Sequence, residues 1–453
     1  MSPPGRPKGE YRSAQREGTP SVSRPLHEWT ATEALAAVAD GSLTAEAWLR
    51  ACLERIAARE PVVHAFAHLD PERALAEARA RDRIPADARG LLHGLPMGVK
   101  DLIDTHDMPT ACGSPIYAGN RPAQDAACVA LAREAGAVMV GKTVTTEFAW
   151  RHPGPTANPR NPAHTTGGSS SGSAAAVADG MLPVAFGTQT AGSIIRPASY
   201  CGVVGYKPSF GTLSLAGIKP LATRFDTLGV LARSVDDCAL VTGVLSGALR
   251  TRRDLQPLAA TKPSRIGLWR TPAWPNAEPA TVAAVEGAAA RLRAEGVVIE
   301  DVEPAGEFVQ LVDRHIDVMR YEAVRILAFE RTQRAAQLSP ELHEELNAGL
   351  ALTYADYRHA LDVIARCRAS FADAIGPFDG FLTPSAPGEA PAGLAVTGDP
   401  VFNRMVSALG VPCLSLPGYI GPRGMPVGVQ LVGSADADAA LLSVAKWIGV
   451  RLG

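Results

Sequence analysis

The chain has 453 residues, of which 46% are hydrophobic and 20% are charged, and its formal net charge is −2. This composition is typical of a folded globular protein and excludes a largely disordered one. The near balance of charges gives no electrostatic basis for binding nucleic acid, and the apolar runs are too short to span a membrane.

Residues 1–25 differ in composition from the rest of the chain. They contain five prolines and five Arg or Lys residues but almost no large apolar side chain, so we predict a disordered leader. No comparable linker interrupts residues 26–453, and we expect them to form one large domain. The seven cysteines are scattered without metal-ligand spacing, a pattern that predicts a reducing, cytoplasmic environment.

Three helices are predicted at the start of this domain. Thr30 and Glu33 have the spacing of a capping box, and Gly41 offers a stop for the first helix. Apolar residues at helical spacing over 48–56 predict the second helix. The third begins at 70–71, where Pro71 occupies the first helical position.

From about residue 94 onward, short β-type runs alternate with helical segments. A helix is predicted over about 277–295, a mainly helical stretch follows to about 375, and a last helix covers the 441–448 region. The predicted strands lie at 97–102, 137–140, 182–186, 203–204, 265–269, 297–299, 380–383, 414–416 and 427–432. This alternation predicts an α/β fold, with a mixed and mostly parallel sheet flanked by helices on both faces.

One familiar motif matches the sequence in full but has the wrong structural context, and a second motif matches only in part. Residues 136–143 match the phosphate-binding pattern G-x4-G-K-[ST], yet the residues between the glycines are themselves a β-type run, so we do not expect nucleotide binding. His343 begins a zinc-helix pattern, but no second histidine follows four residues later. We therefore predict no metal site.

The run of glycines and serines at 167–173 is read either as a flexible linker or as a site. Because it passes directly into apolar, alanine-rich sequence, we favour a site. Residues 168–172 also match the nucleophile elbow G-x-S-x-G, which would make Ser170 the nucleophile. That motif needs a buried strand before it, and residues 161–166 do not have the composition of one.

Lys100 stands inside an otherwise apolar β-type run. It is either a lysine paired with Asp101 or a buried amine whose pKa is lowered enough for it to act as a base. The spacing alone does not decide between these interpretations.

Together these segments closely resemble the amidase signature family, from about residue 28 to the C-terminus and most densely between 94 and 237. The motifs that carry the resemblance are GVKD at 98–101, GGSSSGSA at 167–174, GTQTAGS at 187–193, CGVVGYKP at 201–208 and DTLG at 226–229. Several long motifs in the right order make the resemblance specific.

The resemblance implies a catalytic triad of Ser193, Ser169 and Lys100. Ser193 matches the family's nucleophile, Ser169 matches a bridging serine preceded by a cis peptide bond, and Lys100 matches the general base. Serine is a weak nucleophile until a base removes its proton, so this combination is chemically coherent. Ser170 and Thr188 match residues that support the triad.

The loop before Ser193 is expected to form the oxyanion hole. The backbone N–H groups of Thr190, Ala191 and Gly192 would face the developing negative charge. Small residues are expected where the backbone must approach a substrate closely.

Arg196 marks a departure from the common family form T-D-T-G-G-S-I-R. Here Gln189 replaces the acid, and the arginine lies one place later, after Ile195. This form is similar to the malonamidase branch, which implies that Arg196 binds a substrate carboxylate. The alternative, that Arg196 only braces the loop before Pro197, stays open.

The resemblance implies a cytoplasmic amidohydrolase that converts a small amide to an acid and ammonia or an amine. No cofactor or metal, no nucleic acid and no membrane is expected, and a homodimer is left open. One alternative is the glutamine-hydrolysing subunit of a tRNA-dependent amidotransferase. Another is a noncatalytic interaction protein on the same fold.

Overall fold

The computed structural model describes residues 24–251, 254, 257–304 and 306–452. The leader that we predicted at 1–25 therefore lies outside the described residues, apart from its last two positions. The helices are α1 (Ala31–Asp40), α2 (Ala45–Val63), α3 (Pro71–Asp82), α4 (Ala127–Glu134), α5 (Ser171–Ala178), α6 (Ile195–Cys201), α7 (Val235–Leu245), α8 (Pro279–Ala294), α9 (Leu311–Ile326), α10 (Ala328–Gln333), α11 (Pro340–Leu350), α12 (Tyr354–Ile375), α13 (Val401–Leu409) and α14 (Asp438–Leu452).

The strands include those expected from the sequence and several that were not. They are β1 (Phe66–Leu69), β2 (Pro96–Lys100), β3 (Val138–Thr143), β4 (Ala157–Asn158), β5 (Asn161–Thr165), β6 (Val184–Gln189), β7 (Val204–Lys207), β8 (Thr227–Ala232), β9 (Arg265–Leu268), β10 (Val298–Asp301), β11 (Phe381–Pro384), β12 (Cys413–Ile420) and β13 (Pro426–Val432).

The N-terminal helices begin where their capping residues predicted. Thr30 accepts a hydrogen bond from the backbone of Glu33, whose side chain accepts one from the backbone of Thr30, and α1 ends at Gly41 in the left-handed conformation. Asp70 caps α3 with Pro71 at its first position. Each pairing satisfies backbone groups that a helix end leaves without a partner.

In the described part of the chain, eleven strands form one sheet in the order β1-β3-β2-β6-β8-β7-β12-β13-β11-β9-β10, and β4 pairs with β5 in a separate ribbon. The α/β class and the mixed sheet are confirmed. The sheet is less parallel than we expected, because only the β3-β2, β2-β6, β11-β9 and β9-β10 pairs are parallel. The other neighbours pair antiparallel.

Successive strand residues face two different hydrophobic cores. Along β8, Leu228 and Val230 belong to one core and Leu231 to the other. In β11, Leu382 belongs to the first of these cores and Phe381 to the second. Side chains alternate between the faces of a strand, so helices cover both faces of this sheet, as predicted.

A helix that crosses a bilayer needs about 20 consecutive, predominantly apolar residues. Among the described residues, no helix is both long enough and apolar enough to cross a membrane.

Candidate active site

The candidate site lies where three chain segments meet at one edge of the sheet. Lys100 is the last residue of β2, and β6 ends at Gln189. These two strands are parallel neighbours, so their carboxyl ends share an edge, the usual place for ligands in α/β sheets. The third segment is the Gly/Ser run at 167–173, which leads into α5.

Lys100 is completely buried, and its amine contacts three oxygens. Nζ lies 2.6 Å from Ser169 Oγ, 2.8 Å from Thr188 Oγ1 and 3.4 Å from Thr188 O. Burial lowers the pKa of Lys100 well below its usual value, and the carboxylate of Asp226 opposes this shift only in part. A neutral amine can donate two N–H groups to Thr188 and accept the proton of the Ser169 hydroxyl.

The segment that carries Ser169 is tied to the neighbouring loops. The peptide bond between Gly168 and Ser169 is cis, as the family resemblance implied. The Ser170 N–H donates to the carbonyl of Ser193 at 3.2 Å. The Ser170 hydroxyl donates to Thr188 O and accepts from Thr188 N, both at 3.3 Å. Ser170 therefore links the segment that carries Ser169 to Ser193 and Thr188.

The Gly/Ser run is a packed part of the core and not a flexible linker. A Cβ added to Gly172 would lie 2.1 Å from the carbonyl oxygen of Ala65, so only glycine fits at this close approach. The nucleophile-elbow match fails as expected: the residues before the run form β5, which is mostly exposed and lies outside the main sheet.

Ser193 lies in the loop between β6 and α6 and lines a narrow cavity. Residues from five separated segments of the chain surround it. The described residues that line the cavity are Ala149, Trp150, Arg151, Thr190, Ala191, Ser193, Arg196, Leu221, Met319, Thr397, Gly398, Pro400 and Arg404. The predicted nucleophile, part of the predicted oxyanion loop and the predicted substrate arginine thus share one cavity.

Two side chains that the sequence did not indicate contact the loop before Ser193, which we predicted to form the oxyanion hole (the oxyanion loop). His315 Nε2 donates to the carbonyl of Thr190 at 2.9 Å, and the Ser407 hydroxyl donates to the carbonyl of Ala191 at 2.6 Å. In a trans peptide the N–H points away from the C=O. The N–H groups of Ala191 and Gly192 are therefore turned away from these partners, as an oxyanion hole requires.

Asp226 supports the same loop from the other side. Its carboxylate accepts hydrogen bonds from the Thr190 hydroxyl at 2.5 Å and from the backbone of Leu221 and Ala222 at 2.8 and 3.0 Å. Burial raises the pKa of Asp226 to about 6, although these hydrogen bonds act in the opposite direction. The aspartate of the DTLG motif is thus part of the site's framework.

Gln189 caps the start of α6. Its Oε1 accepts from the N–H groups of Ile194 and Ile195 at 2.9 and 3.1 Å, and its Nε2 donates to Ser407 Oγ at 3.1 Å. A neutral amide thus satisfies helix N–H groups in the position where the common family form has an acid.

Arg196 has both a bracing contact and a face toward the cavity. Its Nη2 donates to the carbonyl of Gly168 at 2.7 Å and to Thr397 Oγ1 at 3.4 Å. Its Nε has no partner among the described residues. Burial lowers the pKa of Arg196 to about 10, so it stays charged at neutral pH. The geometry is compatible with both interpretations, a loop brace and a carboxylate-binding residue.

The remaining sequence motifs have structural roles. Most of the P-loop match is strand β3, and Lys142 within it is buried and donates to Ile103 O and Thr110 Oγ1, each at 2.7 Å. His343 contacts the carbonyl of Ala335. Burial raises the pKa of Cys201 to about 12, as expected for a structural thiol.

One group of side chains among the described residues has the spacing of metal ligands: His106, Asp107 and Asp125. Asp107 pairs with Arg73 and Arg133, and Asp125 pairs with Arg133. These carboxylates neutralise arginines, so the group forms an ion-pair network.

The chain is similar to known proteins over most of its length. Residues 47–442 match the model of the Amidase family. The chain is 34% identical to a glutamyl-tRNA(Gln) amidotransferase subunit of Oleidesulfovibrio alaskensis, over 94% of this chain and 98% of that protein. A solved amidase structure matches with 34% identity and a TM-score of 0.84, covering 94% of this chain and 100% of the other. The native peptide amidase of Stenotrophomonas maltophilia matches with 30% identity and a TM-score of 0.80, covering 94% and 98%.

The fold and these matches define an enzyme that hydrolyses amide bonds. Within that class, the chain belongs to the amidase signature family, whose model covers most of its length. The resemblance that the motifs indicated is therefore confirmed.

Proposed function

We propose that this chain is an amidohydrolase that cleaves a small, carboxylate-bearing amide through an acyl-enzyme on Ser193. The observation that carries the proposal is the buried amine of Lys100, 2.6 Å from Ser169 Oγ and joined through that loop to a cavity lined by Ser193 and Arg196. A lysine kept neutral by burial can serve as a base at neutral pH.

The proposed first step is attack of Ser193 Oγ on the amide carbonyl carbon. As the O–C bond forms, the Ser193 proton passes to Ser169 and the Ser169 proton passes to Lys100. The tetrahedral intermediate then breaks its C–N bond, and the same relay returns a proton to the leaving nitrogen. Water attacks the acyl-enzyme by the same route, releasing the acid and restoring Ser193.

The negative charge of the tetrahedral intermediate falls on the substrate oxygen. The N–H groups of Ala191 and Gly192 are turned away from the partners of the Thr190 and Ala191 carbonyls, which supports their assignment to the oxyanion hole. One such donor typically lowers the barrier by roughly 2.7–4 kcal/mol.

The substrate carboxylate is assigned to Arg196, which lines the cavity and whose Nε has no hydrogen-bond partner among the described residues. A guanidinium binds a carboxylate through two parallel hydrogen bonds, which orients the substrate as well as attracting it. This assignment corresponds to the malonamidase-like branch of the family.

A second candidate is the glutamine-hydrolysing subunit of a tRNA-dependent amidotransferase. The observation that favours it is the 34% identity to one component of such an enzyme over nearly its whole length. Glutamine, however, carries an ammonium group as well as a carboxylate. The described cavity lining contains three arginines and no carboxylate, which favours a substrate with negative charge and no ammonium.

Ammonia release by the purified chain tests the proposal. We expect hydrolysis of succinamate, weaker hydrolysis of neutral propionamide, and loss of both in Ser193→Ala. Ser171→Ala is the matched control, because among the described residues the hydroxyl of Ser171 donates to the Val144 carbonyl and to no residue of the predicted triad, so its loss should leave turnover intact. An active, folded Ser193→Ala variant contradicts the mechanism. Glutaminase activity that appears only with added amidotransferase components supports the second candidate.

Arg196→Met separates carboxylate binding from bracing. Loss of a charge-assisted pair should raise KM for succinamate by roughly 10-fold or more while leaving propionamide nearly unchanged. An equal loss on both amides would assign Arg196 to bracing alone. If the wild-type chain does not react with a serine-directed acylating probe, this result would instead support the noncatalytic alternative.

A further inference from the structure

Arg404 is a second buried arginine at the cavity that contains Ser193. It lies on α13 and is only 4% exposed, yet it lines the cavity together with Arg196. The sequence assigned it no role, because nothing around position 404 matches a functional motif. Its guanidinium is charged at neutral pH, although burial lowers its pKa to about 10.

The polar partner of Arg404 is a neutral histidine. Nη1 of Arg404 lies 3.4 Å from His315 Nδ1, while His315 Nε2 donates to the Thr190 carbonyl. With its proton on Nε2, His315 presents a lone pair at Nδ1. Burial lowers the pKa of His315 to about 3, and Phe225 stacks on its ring at 4.4 Å. His315 therefore positions the guanidinium without balancing its charge.

The other arginine that is buried at this cavity is also bound by neutral groups. Arg196 donates to a carbonyl and a hydroxyl, and the carboxylate of Asp399 acts on both Arg196 and Arg404 only through space. Arg151, the third arginine, is more than half exposed and pairs with Glu345 at 3.7 Å. Because Arg151 is exposed, solvent screens its charge, and its partner Glu345 also pairs with Arg320 at 2.7 Å.

No carboxylate among the described residues contacts either buried guanidinium, an arrangement that is unfavourable without a negatively charged partner. A buried charge normally requires a partner of opposite sign, and removing a partner from such a pair is strongly destabilising. Negative charge brought by a ligand would satisfy both groups. Perturbed, uncompensated charges of this kind gather at functional sites.

We propose that Arg404 forms a second anion-binding position in the acyl pocket, separate from Arg196, so that the chain selects amides whose acyl part carries two carboxylates. The proposal rests on the proposed function, because it assigns the cavity beside Ser193 to the acyl group. His315 is a positioning residue that connects this second anion position to the oxyanion loop.

Binding to the inactive Ser193→Ala protein tests the proposal without using activity. Hydrolysis of an amide whose acyl part carries two carboxylates yields a tricarboxylate, so calorimetry compares tricarballylate, which has three carboxylates, with glutarate, which has two, and gives a ratio of the two affinities. A second charge-assisted contact should make tricarballylate bind roughly 10–100-fold more tightly than glutarate. Adding Arg404→Met should reduce that ratio to near one, and Arg404→Lys should restore part of it.

Arg151→Met is the matched control, since this arginine lines the same cavity but is more than half exposed. It should leave the ratio unchanged. A ratio that survives Arg404→Met in a protein with normal thermal unfolding would overturn the proposal, as would an equal loss of both acids. The catalytic proposal is tested separately, by ammonia release from the wild-type chain and from Ser193→Ala.

Discussion

Lys100 and Lys142 occupy neighbouring parallel strands, and both side chains are completely buried. Lys142 donates to the Ile103 carbonyl and the Thr110 hydroxyl, and its Nζ lies 3.5 Å from Asp101 Oδ1. Lys100 has the Ser169 and Thr188 oxygens around it and no carboxylate in contact among the described residues.

The two lysines show that burial alone does not give a lysine the low pKa that a general base needs. Burial lowers the pKa of both, but in Lys142 the adjacent carboxylate of Asp101 opposes the shift. In Lys100 the opposing charge, Asp226, acts from a distance and the pKa falls much further. A counter-charge in contact keeps a lysine structural, whereas hydroxyl partners leave a neutral amine able to accept a proton.

Replacing each lysine by methionine should therefore produce different failures. Lys100→Met should lower kcat/KM by roughly 10²–10⁴-fold, the usual contribution of a general base. Its melting temperature should stay the same or rise, because an apolar chain of similar length replaces a desolvated amine. Ammonia release and thermal unfolding of one preparation measure both effects. Activity within tenfold of wild type would contradict the assignment of Lys100 as the general base.

Lys142→Met should instead destabilise the fold. It leaves Asp101 buried without its cation, so the free energy of unfolding should fall by about 3–5 kcal/mol. Urea denaturation measures the loss. The double variant Lys142→Met/Asp101→Asn should recover part of the stability because it removes the unpaired charge. No recovery would show that the lost carbonyl contacts, and not the ion pair, carry the effect.

The pH dependence of activity tests how the charge of Asp226 affects the pKa of Lys100. Lys100 must be neutral to act as a base, so activity should rise as the pH passes its lowered pKa. Asp226 raises that pKa, so Asp226→Asn should move the acidic limb of the kcat/KM profile to lower pH. Asp40→Asn, at the exposed end of α1, is the control that should leave the limb in place. Movement toward higher pH would contradict the electrostatic argument.

The smallest expected effect is at Ser407. Ser407→Ala removes the hydrogen bond to the Ala191 carbonyl, worth about 1 kcal/mol, so kcat should fall by roughly 5-fold. KM should change little, because the oxyanion loop acts mainly in the transition state. A rise in KM with unchanged kcat would mean that Ser407 shapes substrate binding and does not orient the loop.

Much of the fold followed from local rules. Thr30 with Glu33 and Asp70 with Pro71 marked helix starts because capping depends on residues only a few positions apart. The parallel content of the sheet was overestimated, since strand direction depends on how distant segments pair. Strand β8 was not indicated at all, although it lies between β6 and β7 in the sheet.

Some residues of the candidate site could be predicted from the sequence, and others could not. Lys100, Ser169 and Ser193 were indicated by motifs whose order along the chain is distinctive. His315, Arg404 and Ser407 were not, because each lies on a helical segment where an isolated polar residue is usually an ordinary core or surface residue. Only packing of α9 and α13 against the loop before Ser193 gives these residues their contacts.

The sequence by itself determined the family and the α/β class, because these depend on motifs, periodicity and capping within short stretches. The tertiary structure decided which of two buried lysines has a counter-charge, which way the oxyanion loop faces, and how many cations line the cavity. These properties depend on groups separated by many residues, whose distance and burial exist only once the chain has folded.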